Sequence, residues 1–208
     1  MIYFVTAIHT DSGKTVVSAI LAKALQADYW KPVQCGITPR DSETVVDLIN
    51  NNHTIVHDEA YVFKTPASPH AAAELDNTTI KLDDIKLPLD ISDTLVIEGA
   101  GGIMVPLNSE HFIVDLIEKF DAEIILVSNN YLGSINHTIL TINEIKRRNI
   151  KVKGIIFNGK RNLFTEEFIL KYSGYNCLLK IEEEHIVDDN MINKYAIKLF
   201  DNWEGINE

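Results

Sequence analysis

The chain has 208 residues, 46% of them hydrophobic and 24% charged, with a formal charge of −11; that length suits one α/β domain. The acidic balance excludes non-specific nucleic-acid binding, which depends on clustered Lys and Arg, and the short Lys146-Arg147-Arg148 run reads as the cationic last turn of a helix. No apolar stretch reaches the ~20 residues of a membrane span, and Cys35 and Cys177 form no CxxC pattern, which argues against a disulfide framework or structural zinc and for a reducing cytoplasm.

Taken in chain order, residues 2–7 (IYFVTA) predict a buried first strand, with no basic region or cleavage site of a signal peptide. A turn then leads into a helix from about Lys14 to Ala27. Residues 28–33 (DYWKPV) read as a second strand, ended by Pro32 and the following QCG turn, and helical periodicity returns over 42–51. The stretch 51–93 is irregular, with Pro66, Pro69 and Pro88, and loops of that length in a compact domain are often binding elements. Later strands are predicted at 94–98, 123–128 and 152–157, and helices at 111–120, 134–149, 163–172 and 188–202. Continuous apolar strands separated by helices predict a parallel β-sheet with helices on both faces, an α/β fold in a single domain over 1–208.

The clearest chemistry follows the first strand, in Thr6-Ala7-Ile8-His9-Thr10-Asp11-Ser12-Gly13-Lys14-Thr15. A strand, a tight loop ending in GKT and then a helix form a phosphate cradle. Amides over Asp11, Ser12, Gly13 and Val16 face the phosphates, Lys14 reaches the outer phosphate oxygens, and the Thr15 hydroxyl can ligate Mg²⁺. The standard spacing would require glycine at position 8, which is Ile8 here. The bland alternative is a chance GKT with a solvated lysine and a capping threonine; the position between a strand and an amphipathic helix outweighs it.

Three further acids and one lysine stand where ligands gather. Glu98 ends the predicted strand 94–98 ahead of glycines, at the carboxyl edge of a parallel sheet, and suits a Mg²⁺ ligand better than a turn cap. Lys31 stands at another strand end, where a partly buried ammonium needs an anion. Asp41 and Glu43 open a helix, where the dipole favours acids in any case. His9, His70 and His137 have no metal-ligand spacing, although His70 follows Ser68-Pro69 and is a candidate for the pocket wall.

Taken together, WKPVQCG (Trp30 to Gly36), Ser68-Pro69-His70, EGAGG (Glu98 to Gly102) with Pro106-Leu107, and LGSINH (Leu132 to His137) resemble the dethiobiotin synthetases over nearly the whole chain. Those enzymes carry a phosphate loop one residue longer than the standard, beginning with a glycine that is Ala7 here. The resemblance implies Mg²⁺ and ATP, and joins 7,8-diaminononanoate to CO₂ through a carbamate and a carbamic-phosphoric anhydride. It implies catalytic roles for Thr10, Lys14 and Lys31, with Lys31 on the carbamate or the transferring phosphoryl group. Metal ligands are then Thr15, Glu98 and either Glu43 or Asp41. Substrate contacts fall to Lys31, Cys35, Gly101, Gly102, Ser134, Ile135 and Asn136, the last reaching across a homodimer, and Asn158 binds the adenine. The segment Leu178 to Glu182 lacks the family's glycine and proline, so the base contacts depart from the pattern.

Two other readings compete. A ParA/MinD-like switch ATPase would carry a signature lysine where His9 stands, and a basic face or membrane helix at its end; Asn190–Trp203 has only Lys194 and Lys198 as cations. An amidotransferase-like ligase would need a further glutamine-hydrolysing domain that 208 residues do not hold.

Overall fold

The computed structural model describes residues 1–206, so that of the domain expected over 1–208 the last two residues lie outside the described part. The chain runs β1 (Ile2–Ala7), α1 (Lys14–Leu25), β2 (Asp28–Trp30), β3 (Val33–Cys35), α2 (Asp41–Ile49), β4 (Val56–His57), β5 (Tyr61–Phe63) and α3 (Pro69–Leu75). It continues with β6 (Leu95–Gly102), α4 (Ile113–Lys119), β7 (Glu123–Asn129), α5 (Ser134–Arg147), β8 (Val152–Asn158), α6 (Leu163–Ser173), β9 (Cys177–Ile181) and α7 (Asp189–Ile206).

Seven strands form one sheet in the order β4-β2-β6-β1-β7-β8-β9, and every pairing in it is parallel. Alternation along the strands supplies both faces. Tyr3, Val5 and Ala7 of β1 enter one core with α1, α2 and α7. Phe4 enters the other, where α3, α4, α5 and α6 pack. Helix α1 is buried along Val17 to Ala22; its Ser18, Ala19 and Ala22 are small, which lets the helix lie close against the strands. Because β1 is flanked by β6 on one side and β7 on the other, chain direction across the sheet reverses there. Ligands of open parallel sheets gather beyond the carboxyl ends at such a switch point.

Two expectations about strands are corrected. Residues 28–33 are not one strand. Strand β2 stops at Trp30, and β3 pairs with β5 in a separate two-stranded sheet. Pro32 has no N–H to continue a ladder, and its carbonyl instead accepts from the amides of Ala60 and Tyr61. Nor does the strand around Glu98 end there: β6 continues to Gly102, with a register irregularity against β1 between Val5 and Ala7. A Cβ at Gly99 would stand 2.7 Å from Phe4 Cε1, so glycine lets this strand stay close to the other core. The irregular stretch holds β4, β5, α3 and a short 3₁₀ turn over Leu82–Asp84. The edge strand β9 has no counterpart among the predicted strands.

Candidate active site

The loop between β1 and α1 is held from the ends of β7 and β8. Asn158, the last residue of β8, donates from Nδ2 to the Ser12 carbonyl at 2.9 Å. The Ser12 hydroxyl lies 3.1 Å from the His9 carbonyl and 3.0 Å from Asn129 Oδ1 at the end of β7. Gly13 caps α1 at φ +88, and a Cβ there would come 2.1 Å from Asn158 Nδ2. Only glycine meets both demands. Ala7 is different. It sits within β1, paired with Gly102 and Val127, and is absent from the residues of positive φ, so its methyl group is tolerated there.

Lys14, at the first position of α1, is 7% exposed. It lines the cleft, yet no carboxylate lies within 4.0 Å of its ammonium among the described residues. Burial lowers its pKa and outweighs the opposing Glu98 charge; the Lys31 charge lowers it further, while Asp41 and Asp11 act the other way. A buried ammonium without a paired acid, at a helix N-terminus and facing an open cleft, is built for an anion.

Across from it three elements deliver oxygens to one place. Glu98 of β6 is 1% exposed. Its Oε1 accepts from the Thr15 hydroxyl at 3.0 Å and from Lys31 Nζ at 3.1 Å. Its Oε2 accepts from the Tyr29 hydroxyl at 2.9 Å. Lys31 also pairs with Asp41 at the start of α2. Burial alone would lower the Lys31 pKa, but the charges of Glu98 and Asp41 outweigh it and leave the value raised. Lys31 is therefore an ammonium at any physiological pH.

The cleft above these groups has a volume of about 780 Å³ and is lined by Thr10, Asp11, Gly13, Lys14, Thr15, Val16, Lys31, Cys35, Asp41, Glu98 and Gly101, among others. Gly101, at φ +70, lies beside Thr10, whose Oγ1 would be 3.7 Å from a Cβ added there. Burial pushes the Cys35 thiol up to about 11, so it carries almost no thiolate at neutral pH and is a poor nucleophile.

Of the two acids that open α2, only Asp41 reaches the cleft. Glu43 turns to Arg40, accepting its guanidinium at 3.0 Å and its amide at 3.1 Å, and those hydrogen bonds hold its carboxyl below the usual range. Asp41 lines the cleft and Glu43 does not. His70 is exposed, its ring against the Ser68 hydroxyl, and does not line the cleft, although Ser68 and Pro69 do. Ser12, Gly102 and Asn158 buttress the loop from outside the lining. Ser134, Ile135 and Asn136 open α5 and do not line this chain's own cleft, with Ser134 buried and Asn136 exposed.

Sequence reading missed Tyr29 and Gln34. Gln34 lines the cleft, and its Oε1 accepts from the Asp41 amide at 3.3 Å. Neither has a local signal: a tyrosine in a strand reads as core, and its alignment with Glu98 exists only once β2 and β6 are in register.

The family described as an AAA domain matches residues 2–190. An ATP-dependent dethiobiotin synthetase of Cytophaga hutchinsonii is 57% identical over 201 residues, covering 97% of this chain and 98% of that protein. The chain belongs to the dethiobiotin synthetase family. A second dethiobiotin synthetase, from Christiangramia forsetii, is 49% identical and covers 94% of each chain. Among solved structures, the MinD cell division protein of Aquifex aeolicus superposes with a TM-score of 0.56 at 15% identity, covering 99% of this chain and 96% of that one. A ParA family ATPase of Chlorobium tepidum TLS gives 0.53 at 14% identity over 100% and 98%. Those two likenesses show the fold alone; family membership rests on the dethiobiotin synthetases.

Proposed function

We propose that the chain is a dethiobiotin synthetase, joining 7,8-diaminononanoate, CO₂ and ATP to give dethiobiotin, ADP and phosphate. The observation that carries the reading in the structure is the buried Lys14 ammonium, without a paired acid among the described residues, in one cleft with the Lys31–Glu98–Asp41 cluster. One amine of the substrate takes up CO₂ as a carbamate and loses a proton. A carbamate oxygen then attacks the γ-phosphorus, and the bond to the bridging oxygen breaks to release ADP. The second amine attacks the carbamoyl carbon of the anhydride, expelling phosphate and closing the ring. The protein aligns these groups and spreads charge, as is general for phosphoryl transfer. Lys14 and the loop amides hold the phosphates, Lys31 serves the carbamate or the moving phosphoryl group, and Thr10 lies beside them.

The oxygens of Thr15, Glu98 and Asp41 fit Mg²⁺: they are hard donors from three elements, the hydroxyl bonded to Glu98 and both carboxylates against the Lys31 ammonium. Bound there, Mg²⁺ would neutralise phosphate charge. Asn158 beside Gly13 supports its reading as the adenine contact. Asn136, exposed and outside the lining of its own cleft, supports a homodimer in which α5 serves the neighbouring site. Two free cysteines support a reducing, cytoplasmic setting, and no described helix is long and apolar enough to cross a membrane.

The test is ADP release from the purified protein with Mg-ATP and bicarbonate, with and without the diamine. Strong dependence on the diamine, with dethiobiotin as product, is expected. Diamine-independent hydrolysis would favour a ParA/MinD-like switch instead. Two substitution results follow from the geometry. Asp41→Asn should raise the Mg²⁺ concentration for half-maximal turnover about tenfold, the scale of one lost charge-assisted contact, while Glu43→Gln leaves it within about twofold; a Mg²⁺ titration of ADP release ranks the two acids. Cys35→Ala should keep turnover within about threefold of the parent, because a protonated thiol has no nucleophilic role to lose. A loss of two orders of magnitude or more in the same assay would restore a covalent role for the thiol.

A further inference from the structure

We infer that Tyr29 is a positioning residue for the reaction: its hydroxyl locks the Glu98 carboxylate so that Oε1 faces Thr15 and Lys31 at the edge of the cleft. The inference rests on the reading of Glu98 as a metal-side carboxylate.

Strand register produces the contact. Tyr29 of β2 is paired with Val96 of β6. Glu98, two residues further along β6, emerges on the same face, because strand side chains alternate with period two. That separation is roughly 6.6–6.8 Å, a span a phenol ring can bridge and a shorter side chain cannot. The hydroxyl meets Oε2 at 2.9 Å.

Packing does not account for the hydroxyl. Tyr29 is 0% exposed in the core formed with α1, α2 and α7, where a phenylalanine would bury the same apolar surface. A buried hydroxyl carries a desolvation cost unless it is bonded, and its hydrogen bond among the described residues goes to Glu98. A phenol is protonated at neutral pH, so the hydroxyl is the donor in this contact.

The consequence lies in the last torsion of glutamate. That rotation is broad and two-fold, so an unanchored carboxylate exchanges its oxygens and tilts its plane. At Glu98 the two oxygens have different neighbours. Oε2 is taken by Tyr29, while Oε1 serves Thr15 and Lys31. The phenol thus removes the two-fold freedom and keeps one oxygen paired when Lys31 turns to substrate.

The experiment compares Tyr29→Phe, Glu98→Gln and the double variant. Circular dichroism and thermal melting check the fold. Calorimetry measures ADP binding with and without Mg²⁺, and steady-state kinetics measure kcat and the KM for diamine. For Tyr29→Phe the expected result is a Mg²⁺ requirement for ADP binding raised about tenfold and kcat lowered about tenfold, the scale of a hydrogen bond to a charged group. ADP affinity without Mg²⁺ and the KM for diamine should stay within twofold. Tyr29→Phe should add little to Glu98→Gln, since both act through one carboxylate. A Tyr29→Phe protein that melts earlier but keeps its Mg²⁺ requirement and kcat would overturn the inference and leave the hydroxyl a stabilising contact only. If Glu98→Gln itself leaves the Mg²⁺ requirement unchanged, the reading of Glu98 falls instead, and the two failures are told apart. Should Tyr29→Phe not fold, 3-fluorotyrosine placed at position 29 keeps the shape. Its fluorine resonance should move when Mg²⁺ is added to the ADP complex, and a resonance that does not move overturns the inference.

Discussion

Lys14→Ala should lower kcat/KM for ATP by at least about three orders of magnitude, roughly 4 kcal/mol, the upper range for removing one preorganised charge-stabilising group from an active site. The reason is specific to its surroundings. Lys31 is the other cation in the cleft lining, and Glu98 and Asp41 already engage it. Among the described residues Lys14 has no acid within 4.0 Å, and its pKa is lowered by burial, so its charge is uncommitted until phosphate arrives. The fold should be indifferent or slightly favoured, because alanine relieves a buried charge without leaving a partner exposed. The measurement is therefore a pair: a melting temperature unchanged or raised, together with lost turnover and weakened ATP binding. Activity within tenfold of the parent would remove the phosphate loop from the mechanism.

The sheet was legible because its inner strands, 2–7, 123–128 and 152–157, are apolar on both faces, as parallel strands covered twice must be. The outer parts were not. Strand β4 has two residues and β9 ends in Lys180-Ile181 at the sheet edge, too short or too mixed for periodicity to register. The break after Trp30 is a tertiary event: Lys31 is drawn to Glu98, and the chain then joins β5, which sequence cannot place nearby.

The site divides along the same line. Gly13-Lys14-Thr15 is contiguous, so its chemistry shows in sequence. Asp41 and Glu43 both suit a helix start, and the resemblance puts Glu43 first with Asp41 as its rival. Only the orientation of α2 separates them, carrying Glu43 to Arg40 and Asp41 to Lys31. Tyr29 and Gln34 act through register and loop path, which have no local signature. The MinD and ParA structures share the fold at 15% and 14% identity, and function follows the site rather than the scaffold.

Lys31→Met gives the second large effect, with a different signature. Turnover should again fall by about three orders of magnitude or more, on the same scale for a charge-stabilising group. Here, however, the fold should also suffer. Lys31 is 5% exposed and sits between Asp41 and the buried Glu98. Removing one member of a buried pair leaves an uncompensated charge, at a cost of roughly 3–5 kcal/mol for a fully buried case. Asp41 is partly exposed, and Glu98 retains Tyr29 and Thr15, so about 2–3 kcal/mol is expected. Because the folded-state pKa of Lys31 is raised, its contribution is full below the ordinary lysine value and fades only as pH rises through the raised one. Denaturation at neutral pH therefore measures all of it. Mg²⁺ with ADP should restore much of the lost stability, since a cation again stands between the carboxylates, but it should not restore turnover. A variant that melts like the parent without metal would mean that the two acids do not depend on Lys31. One that turns over normally would make the lysine a structural counter-ion, leaving the moving phosphoryl group to Lys14 and the loop amides.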